Sequence, residues 1–374
     1  MSEYFATVAR GLEAVAAREL QALGARNVMP EFTGVAFAGD RALLYRVNLW
    51  ARIPFRILLI LGHCRCRNAE ELYTGVQTID WSAYLRPEQT LAVRATGKNA
   101  QLNHTHYTAL QIKNAIVDQQ RQTMGRRSSV DTQQPDVSIN VHVRGDRATI
   151  SLDSTGESLH RRGYRPAVGT APLKETLAAA LLDLAEWTPD LPLFDPMCGS
   201  GTFLLEAALK ALNIAPGVFR DRFAFEQWSD FDPDLWNHLR NQAVDEQRSH
   251  LLHPIIGSDR DATVLEEART NLFYGDLVHQ IPLSQQDLAT VEPPSAPGIL
   301  VCNPPYGDRL GDVEALQEFY KLMGDVFKQR FKGWVAFVLS GNPTLTKHIG
   351  LRPSKRMIVH NGSIECRWLR YELF

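Results

Sequence analysis

The run from Asp195 to Thr202, Asp-Pro-Met-Cys-Gly-Ser-Gly-Thr, is the strongest local signal for chemistry in this chain. It follows an apolar stretch typical of a buried strand, and a helix is expected to begin at residue 201. Glycines in such a turn let the backbone approach a ligand closely. A dinucleotide site would need a third glycine, which is missing after Gly201, and Asp195 would repel a diphosphate. Asp195 favours a cationic ligand such as S-adenosylmethionine, whereas a glycine turn without a ligand is the alternative.

Two further acidic positions follow the next two predicted strands. Asp259 ends the strand at residues 254–259, where a carboxylate can accept hydrogen bonds from both ribose hydroxyls. Asp261 is expected to cap the helix that begins there, which is a structural role. Asp287 follows the third strand and can accept a hydrogen bond from an adenine amino group, although such a residue alone is more often part of a loop.

Asn303, Pro304, Pro305 and Tyr306 follow the fourth predicted strand. The two prolines fix the turn, so that the Pro304 carbonyl can point into a pocket. The Asn303 side-chain oxygen is a second acceptor, and two acceptors match an amino group with two hydrogens. Tyr306 offers a flat face on which a base can stack. A proline-rich turn without function is the weaker alternative.

The elements that must position these residues alternate between strand and helix. Strands are predicted at 191–195, 254–259, 281–285, 298–302 and 334–339, with helices at 173–187, 201–212, 261–274 and 314–330. This alternation predicts a mostly parallel sheet. Residues 356–360 and 364–371, joined by Asn361-Gly362, predict a terminal antiparallel hairpin. Residues 1–155 instead read as a mixed α+β region, including a hairpin around Arg144-Gly-Asp-Arg147.

The net charge of −2 conceals an uneven distribution along the chain. Residues 1–165 carry +6 and the remainder carries −8. Nearly all basic residues of the first part are arginine, which binds phosphates in a bidentate fork and stacks on bases. A basic part joined to an acidic part indicates nucleic-acid binding, with chance clustering on a solvated surface as an equal alternative.

The composition excludes several classes of protein. The longest apolar run, residues 57–61, is too short to span a membrane, and the N-terminus lacks the pattern of a signal peptide. The five cysteines are scattered, and Cys64-Arg-Cys66 fits neither a zinc site nor a redox pair. We therefore expect a cytoplasmic protein with no membrane partner, no metal and no disulfide framework.

The Asp195–Thr202 run together with Asn303-Pro-Pro-Tyr306 resembles the class I amino-methyltransferases. The whole chain, including the residues His160–Leu182, resembles the THUMP-domain RNA methyltransferases. It is most similar to the N-terminal half of the bacterial 23S rRNA guanine-N2 methyltransferases, the RlmL family. In the long form of that family a second methyltransferase domain follows. Because this chain stops at Phe374, we expect one catalytic domain and no guanine-N7 activity.

The resemblance implies a division into a ferredoxin-like segment at 1–60, an overlapping THUMP domain at 45–155, a connecting segment at 156–190 and a Rossmann-like methyltransferase domain at 165–374. It implies S-adenosylmethionine as cofactor and structured RNA as substrate, 23S rRNA first and tRNA second. It also implies that the target base lies against Asn303, Pro304, Pro305 and Tyr306. The expected cofactor-binding residues are Asp195, Pro196, Cys198, Gly199, Gly201, Thr202, Asp259, Asp287 and Asn303. The arginines selected for RNA binding are Arg126, Arg127, Arg161, Arg162 and Arg165.

Three alternatives remain from the sequence. An enzyme acting on adenine N6 or on a glutamine side chain would share the Asn-Pro-Pro-Tyr motif. A nicotinamide dehydrogenase is disfavoured by the missing third glycine. An RNA-binding protein with a decayed methyltransferase domain is disfavoured by the intact set of motifs. An aromatic-rich insert at 214–253 is expected to pack against the sheet, with a role over the cofactor or in contact with the RNA as the alternative.

Overall fold

The structure is a computed structural model that describes residues 1–166, 173–294, 296–306 and 313–374. Its backbone forms two compact units. The first unit contains described residues of Met1–Val8, Ala17–Leu159 and Arg220–Asn241. The second contains those of Ala9–Ala16, His160–Phe219 and Gln242–Phe374. The units therefore do not correspond to two consecutive halves of the sequence.

The first 159 residues form eight strands and four helices in the order typical of an α+β protein. The elements are β1 Ser2–Thr7, α1 Glu13–Ala22, β2 Arg26–Glu31, β3 Gly34–Gly39, α2 Arg41–Trp50, β4 Arg56–Arg65, α3 Ala69–Gln77, β5 Thr90–Lys98, α4 Thr105–Met124, β6 Ser129–Val130, β7 Val137–Arg144 and β8 Arg147–Asp153. The Asp40 carboxylate accepts a hydrogen bond from the Leu43 N–H at 2.8 Å and so caps α2. The hairpin predicted around Arg144-Gly-Asp-Arg147 is confirmed, and Gly145 in its turn has a φ of +58°, a value that favours glycine.

All eight strands belong to one sheet, in the order β2-β3-β1-β4-β8-β7-β5-β6. Strand β4 pairs with β1 on one side and with β8 on the other. The ferredoxin-like and THUMP segments expected from the sequence therefore share a sheet through β4. Strand β2 was not predicted from the sequence, because it is an exposed edge strand that contains Pro30 and shows no apolar alternation.

The remaining residues form an α/β arrangement with a second sheet. Its elements are α5 Glu175–Leu184, β9 Leu193–Asp195, α6 Thr202–Ala211, α7 Pro233–Asp245, β10 Ile255–Asp259, α8 Ala262–Tyr274, β11 Leu283–Gln285, β12 Ile299–Cys302, α9 Val313–Arg330, β13 Val335–Ser340, β14 Lys355–Asn361 and β15 Ile364–Glu372. The strand order is β11-β10-β9-β12-β13-β15-β14. The first five strands in this order, from β11 through β10, β9 and β12 to β13, pair in parallel with their neighbours. Strand β15 pairs antiparallel with both β13 and β14. This confirms the mostly parallel sheet with a terminal antiparallel hairpin.

The core of the second unit lies between this sheet and α9. Leu300, Phe327 and Tyr371 are 0–1% exposed, and Phe194 stacks on Phe331 with ring centroids 5.8 Å apart. These side chains bury β9, β12 and β15 from one side, so that the sheet is held rigid beneath the carboxyl ends of its central strands. Rigid strands can position functional side chains more reproducibly than loops.

The aromatic insert belongs partly to the first unit. Residues Arg220–Asn241 pack there, and the Tyr45 ring on α2 stacks on Phe225 with a centroid distance of 4.5 Å. Phe231 and Trp236 contact the same tyrosine ring. Phe219 lies in the second unit, where it contacts Tyr164 edge to face. The insert thus has a packing role, but its aromatic rings pack on α2 of the first unit and not, as was expected from the sequence, on the sheet.

Within the described residues, no helix combines the length and the apolar character that a membrane span requires.

Candidate active site

The carboxyl ends of β10, β9 and β12 lie next to one another in the second sheet. Asp259 is the last residue of β10, Asp195 is the last residue of β9, and Asn303 comes directly after β12. The parallel register pairs Gly257 with Asp195 and Leu300 with Phe194. The sheet therefore brings to one edge three motifs that are spread over more than 100 positions of the sequence, from Asp195 to Asn303, and this edge is where sheets of this kind bind ligands.

The glycine turn after β9 has a backbone that only glycine adopts readily. Gly199 and Gly201 have φ values of +55° and +84°, and Gly201 occupies the position before α6. The Cys198 N–H donates to the Ser258 carbonyl at 2.9 Å, which ties the turn to β10. Among the described residues, a methyl group placed on Gly199 would meet only the Val264 side chain, 4.0 Å away. The described part of the chain therefore leaves the space in front of Gly199 open to a ligand.

Asp195 is a buried carboxylate with few partners. It is 1% exposed, and its Oδ1 accepts a hydrogen bond from the Met197 N–H at 3.1 Å. Burial raises the pKa of this carboxyl well above its usual range; the Met197 hydrogen bond opposes the rise, and the charge of Asp259 adds to it. A cationic group bound beside Asp195 would restore its ionised form. The site thus has the electrostatic property expected for the ammonium of S-adenosylmethionine.

Asp259 holds two neighbouring segments in place. Its Oδ2 accepts a hydrogen bond from the Gly199 N–H at 3.0 Å, and its Oδ1 accepts one from the Asp261 N–H at 3.0 Å. The Asp261 carboxylate accepts a hydrogen bond from the Thr263 N–H at 2.8 Å, which confirms the predicted cap of α8. Asp259 therefore couples the glycine turn to the start of α8, and its ribose contact stays a prediction.

Asp287 lies after β11 and begins a short 3-10 helix, Leu288–Thr290. Its Oδ1 accepts a hydrogen bond from the Ala289 N–H at 2.8 Å, and the side chain is exposed. The preceding Gln286 N–H donates to the Asp259 carbonyl at 3.0 Å. This bond keeps Asp287 close to the end of β10, while its contact with an adenine ring stays a prediction.

The side-chain oxygen of Asn303, Oδ1, is a buried acceptor that has no partner among the described residues. An orphaned buried acceptor costs free energy, and such atoms in native proteins often have a functional explanation. The next residue, Pro304, is buried, whereas Pro305 is exposed. The Asn303 oxygen is therefore available to the amino group of a bound molecule.

Tyr306 is held by residues that the sequence analysis did not select. Its hydroxyl accepts a hydrogen bond from the Asn361 side-chain amide at 3.1 Å, and a methyl group on Gly341 would approach its ring to 3.2 Å. Burial raises the pKa of the neighbouring Cys366 thiol, and hydrogen bonds with Asn361 and Tyr306 oppose that rise. Asn361 was assigned only to the hairpin turn, and nothing local in the sequence links it to Tyr306.

Arg165 was selected for RNA binding, and the structure contradicts that role. Its side chain is 4% exposed. One guanidinium nitrogen donates to the Ser200 hydroxyl at 2.7 Å, and the other donates to Glu175 at 3.1 Å and to the Leu173 carbonyl at 3.0 Å. Arg165 therefore braces the glycine turn from inside the protein, because Ser200 lies between the two turn glycines.

Arg162 was also wrongly predicted to bind RNA. Its side chain is 1% exposed and forms a two-pronged ion pair with Glu206 of α6, at 3.2 and 3.3 Å. The Tyr164 hydroxyl donates to the same carboxylate at 2.6 Å. Arg126, Arg127 and Arg161 are exposed, with Arg126 paired to Glu88. Arg126 and Arg127 belong to the first unit, whereas Arg161, Arg162 and Arg165 belong to the second.

The residues at this edge fit S-adenosylmethionine, since they include a buried carboxylate with space for a cation, an open glycine turn and acidic residues after the next two strands. Within the described ranges, no group of three or more His, Cys, Asp or Glu side chains is placed to hold a metal ion.

Comparison with protein families gives three matches along the chain. The family described as "RMKL-like, methyltransferase domain" matches residues 162–370. The THUMP domain matches residues 66–153, and the RlmL ferredoxin-like domain matches residues 3–58. The three matches follow one another in the order expected from the sequence.

Two curated relatives align along 99% of the chain. The protein named "Putative RNA methyltransferase slr0064" of Synechocystis is 59% identical and is covered over 97% of its length. The "Ribosomal RNA large subunit methyltransferase K/L" of Methylococcus capsulatus is 43% identical, and this chain spans 51% of it. The chain thus spans about half the length of that K/L relative.

Among solved structures, "SMU.472, a putative methyltransferase complexed with SAH" superimposes with a TM-score of 0.91 at 35% identity, covering 100% of this chain and 98% of that one. The fold is therefore the class I methyltransferase fold preceded by ferredoxin-like and THUMP regions.

Proposed function

Because the chain belongs to the RMKL-like methyltransferase family, we propose that it transfers a methyl group from S-adenosylmethionine to the exocyclic N2 of a guanosine in RNA. The proposed substrate is 23S rRNA, which suits the name of the K/L relative. We also propose the division into segments 1–60, 45–155, 156–190 and 165–374, which the three family matches support. An rRNA substrate would be met in the cytoplasm.

The observation that carries the proposal is the buried Oδ1 of Asn303, which has no hydrogen-bond partner among the described residues. Asn303 follows β12, the strand that pairs with the strand ending in Asp195. A guanine N2 amino group has two hydrogens, and Asn303 Oδ1 together with the Pro304 carbonyl supplies two acceptors.

S-adenosylmethionine supplies an electrophilic methyl group when bound. Asn303 Oδ1 and the Pro304 carbonyl accept hydrogen bonds from the two amino hydrogens and favour a nitrogen lone pair that is no longer delocalised into the ring, so that a nitrogen–carbon bond can form as the carbon–sulfur bond breaks. The methylated nitrogen then loses a proton to water, and no strong general base is required of the protein. Positioning of the target base by Tyr306 and by the turn after β12 supplies much of the rate enhancement.

The cofactor-binding roles follow from position along the sheet edge. Asp195 would bind the methionine ammonium, Asp259 the ribose and Asp287 the adenine. Gly199 and Gly201 would lie against the methionine end. The remaining residues proposed to line this cleft are Pro196, Cys198 and Thr202.

The substrate base must leave its stack before it can lie against Tyr306. A flipped or single-stranded guanosine is therefore required. We propose that the first unit selects the RNA, and that the exposed residues Arg126, Arg127 and Arg161 take part in holding it.

The test is in vitro methylation of 23S rRNA and of tRNA with labelled S-adenosylmethionine, followed by nucleoside mass spectrometry. N2-methylguanosine in 23S rRNA that is also missing from a deletion strain would support the proposal. N2-methylguanosine in tRNA would move the substrate and keep the chemistry. N6-methyladenosine or methylated glutamine in a protein would overturn the assignment.

A further inference from the structure

Four basic residues stand side by side on neighbouring strands of the first sheet. The register pairs Arg65 of β4 with Arg147 of β8, Arg147 with Arg144 of β7, and Arg144 with Lys98 of β5. Side chains of residues paired across neighbouring strands point to the same face of a sheet. We call Arg65, Arg147, Arg144 and Lys98 the basic row.

All four residues of the basic row are exposed, and none of them forms an ion pair with a residue that the structure describes. Other cations of the same unit are paired, such as Arg121 with Asp118. Like charges directly opposite each other destabilise a sheet, by roughly 0.2–1 kcal/mol per pair. Three such contacts in succession are a cost to folding, which indicates that the row has an anionic partner outside the chain.

On the same face of the sheet, the neighbouring row consists of the polar residues His63, Thr149, His142 and Thr96. His63 accepts or donates a hydrogen bond with Thr149 at 3.0 Å, and Thr96 does the same with His142 at 3.0 Å. Burial lowers the pKa of His63, and the positive charge of Arg147 lowers it further, with Glu3 acting in the opposite direction. The local field at this end of the sheet is therefore positive.

A surface depression of about 580 Å³ lies at one end of the basic row. Arg65 and Arg147 line it together with His63, Cys64, Arg67 and Asp146. The single carboxylate among these lining residues offsets only part of the positive charge. A concave surface with such a lining can hold a phosphate group.

The chemistry of this face favours a nucleic-acid backbone over bases or protein. The basic row and the neighbouring row of His63, Thr149, His142 and Thr96 contain no Phe, Tyr or Trp, so these rows lack the aromatic side chains typical of base-stacking platforms. Protein interfaces are likewise enriched in aromatic anchors. Four strands spaced about 4.8 Å apart give a row about 14 Å long, which is long enough to contact several consecutive phosphates of one strand.

We propose that the basic row is a docking surface for the RNA backbone, which holds the substrate through its phosphates without reading its bases. This inference rests on the proposed function in one respect, namely that the substrate is RNA. Base selection would then fall to other parts of the chain, such as the turn around Tyr306.

The test compares two double variants of the full chain. Arg144→Gln with Arg147→Gln removes two charges from the row, whereas Arg18→Gln with Arg26→Gln removes two exposed charges elsewhere in the same unit. Affinity for an rRNA fragment and for a scrambled RNA of equal length is measured across a series of salt concentrations. We expect the row variant to lose affinity for both RNAs and its salt slope to fall by about 1.5, at 0.7–0.9 per contact. The control should keep the slope.

Two further measurements exclude misfolding as the cause of the lost RNA affinity. The melting temperature of the row variant should not fall, because a like-charge pair has been removed. Its KM for RNA should rise while kcat at saturating RNA and the affinity for S-adenosylmethionine stay unchanged.

Equal affinities and slopes in the two variants would overturn the inference while leaving the proposed function intact. A loss of affinity for the natural RNA alone would mean that the row reads bases, which also overturns it. Unchanged RNA affinity with lost binding of polyglutamate would assign the row to an acidic protein partner. A wild-type chain that neither binds nor methylates any RNA would instead refute the proposed function.

Discussion

The side-chain amide of Asn361 donates a hydrogen bond to the Tyr306 hydroxyl, 3.1 Å away. Asn361 is the last residue of β14, and Tyr306 belongs to the turn after β12. The terminal hairpin therefore supports the ring that we propose to stack on the target base. Asn361 thus serves both the hairpin turn and the proposed substrate pocket.

Tyr306 and Asn361 should behave as a coupled pair. Tyr306→Phe keeps the ring and loses the anchor, so we expect a loss of turnover below about tenfold, and Asn361→Ala should give a similar loss. The double variant should be no worse than either single variant, because both remove the same hydrogen bond. Tyr306→Ala should be far more severe. Equal damage from Phe and Ala at this position would refute the stacking role.

Asn303→Ala should separate catalysis from cofactor binding. We expect near-normal affinity for S-adenosylmethionine by calorimetry and a loss of kcat of about two orders of magnitude, as for single acceptor or donor losses in other active sites. The melting temperature should not fall, because the variant removes a buried acceptor that lacks a partner among the described residues. A large drop in melting temperature would show that Asn303 is a structural residue.

Asp195→Asn should stabilise the fold and weaken cofactor binding. Asp195 has a folded-state pKa raised above its unfolded value. Its contribution to stability is therefore present below the unfolded pKa and lost as the pH rises through the folded pKa. At neutral pH the variant should melt at a higher temperature than the wild type. Its affinity for S-adenosylmethionine should fall by about 10- to 150-fold, from a charge-assisted contact of about 1.5–3 kcal/mol.

The same carboxyl predicts how cofactor affinity depends on pH. A cation binds the ionised form of Asp195, so the affinity of the wild type for S-adenosylmethionine should increase as the pH rises through the raised pKa of the free protein. Asp195→Asn should flatten that profile. Calorimetry at several pH values would measure both, and an identical pH profile in the two proteins would contradict the assignment.

Arg165 should affect the cofactor without touching it. Arg165→Gln removes the brace on Ser200 and leaves Glu175 without its charged partner, and breaking a buried pair in this way costs about 3–5 kcal/mol. Arg165→Gln combined with Glu175→Gln should recover much of that stability but still bind S-adenosylmethionine more weakly. Arg161→Gln, at an exposed neighbouring position, should leave melting and cofactor affinity close to the wild type.

The motifs that follow strands were predictable because both their residue types and the strands before them are local in the sequence. The burial of Arg162 and Arg165 could not be predicted, since the partner of Arg162, Glu206, is 44 positions away. A cluster of arginines has the same composition whether it faces solvent or pairs with buried carboxylates. Burial depends on which helix packs over the segment, and that information is tertiary.

Local patterns could predict neither that β4 is shared by the two segments nor that the basic row exists. Arg65, Lys98 and Arg144 look like isolated cations along the chain, and only the register of three strand pairs aligns them. Helix α3 was not predicted either, although its cap is local: Asn68 accepts a hydrogen bond from the Glu71 N–H.

Residues Arg220–Asn241 belong to the first unit although they lie within the sequence of the methyltransferase domain. This arrangement limits how proteins with this domain order can be rearranged in evolution. A module that joins its neighbour through a single linker can be exchanged, duplicated or lost by one recombination event. Here a loss of the first 159 residues would remove the contacts of Phe225 and Trp236 with Tyr45 and expose an aromatic surface to solvent. The N-terminal region and the methyltransferase domain are therefore expected to be inherited together, and an engineered catalytic domain would need a short polar linker in place of residues Arg220–Asn241.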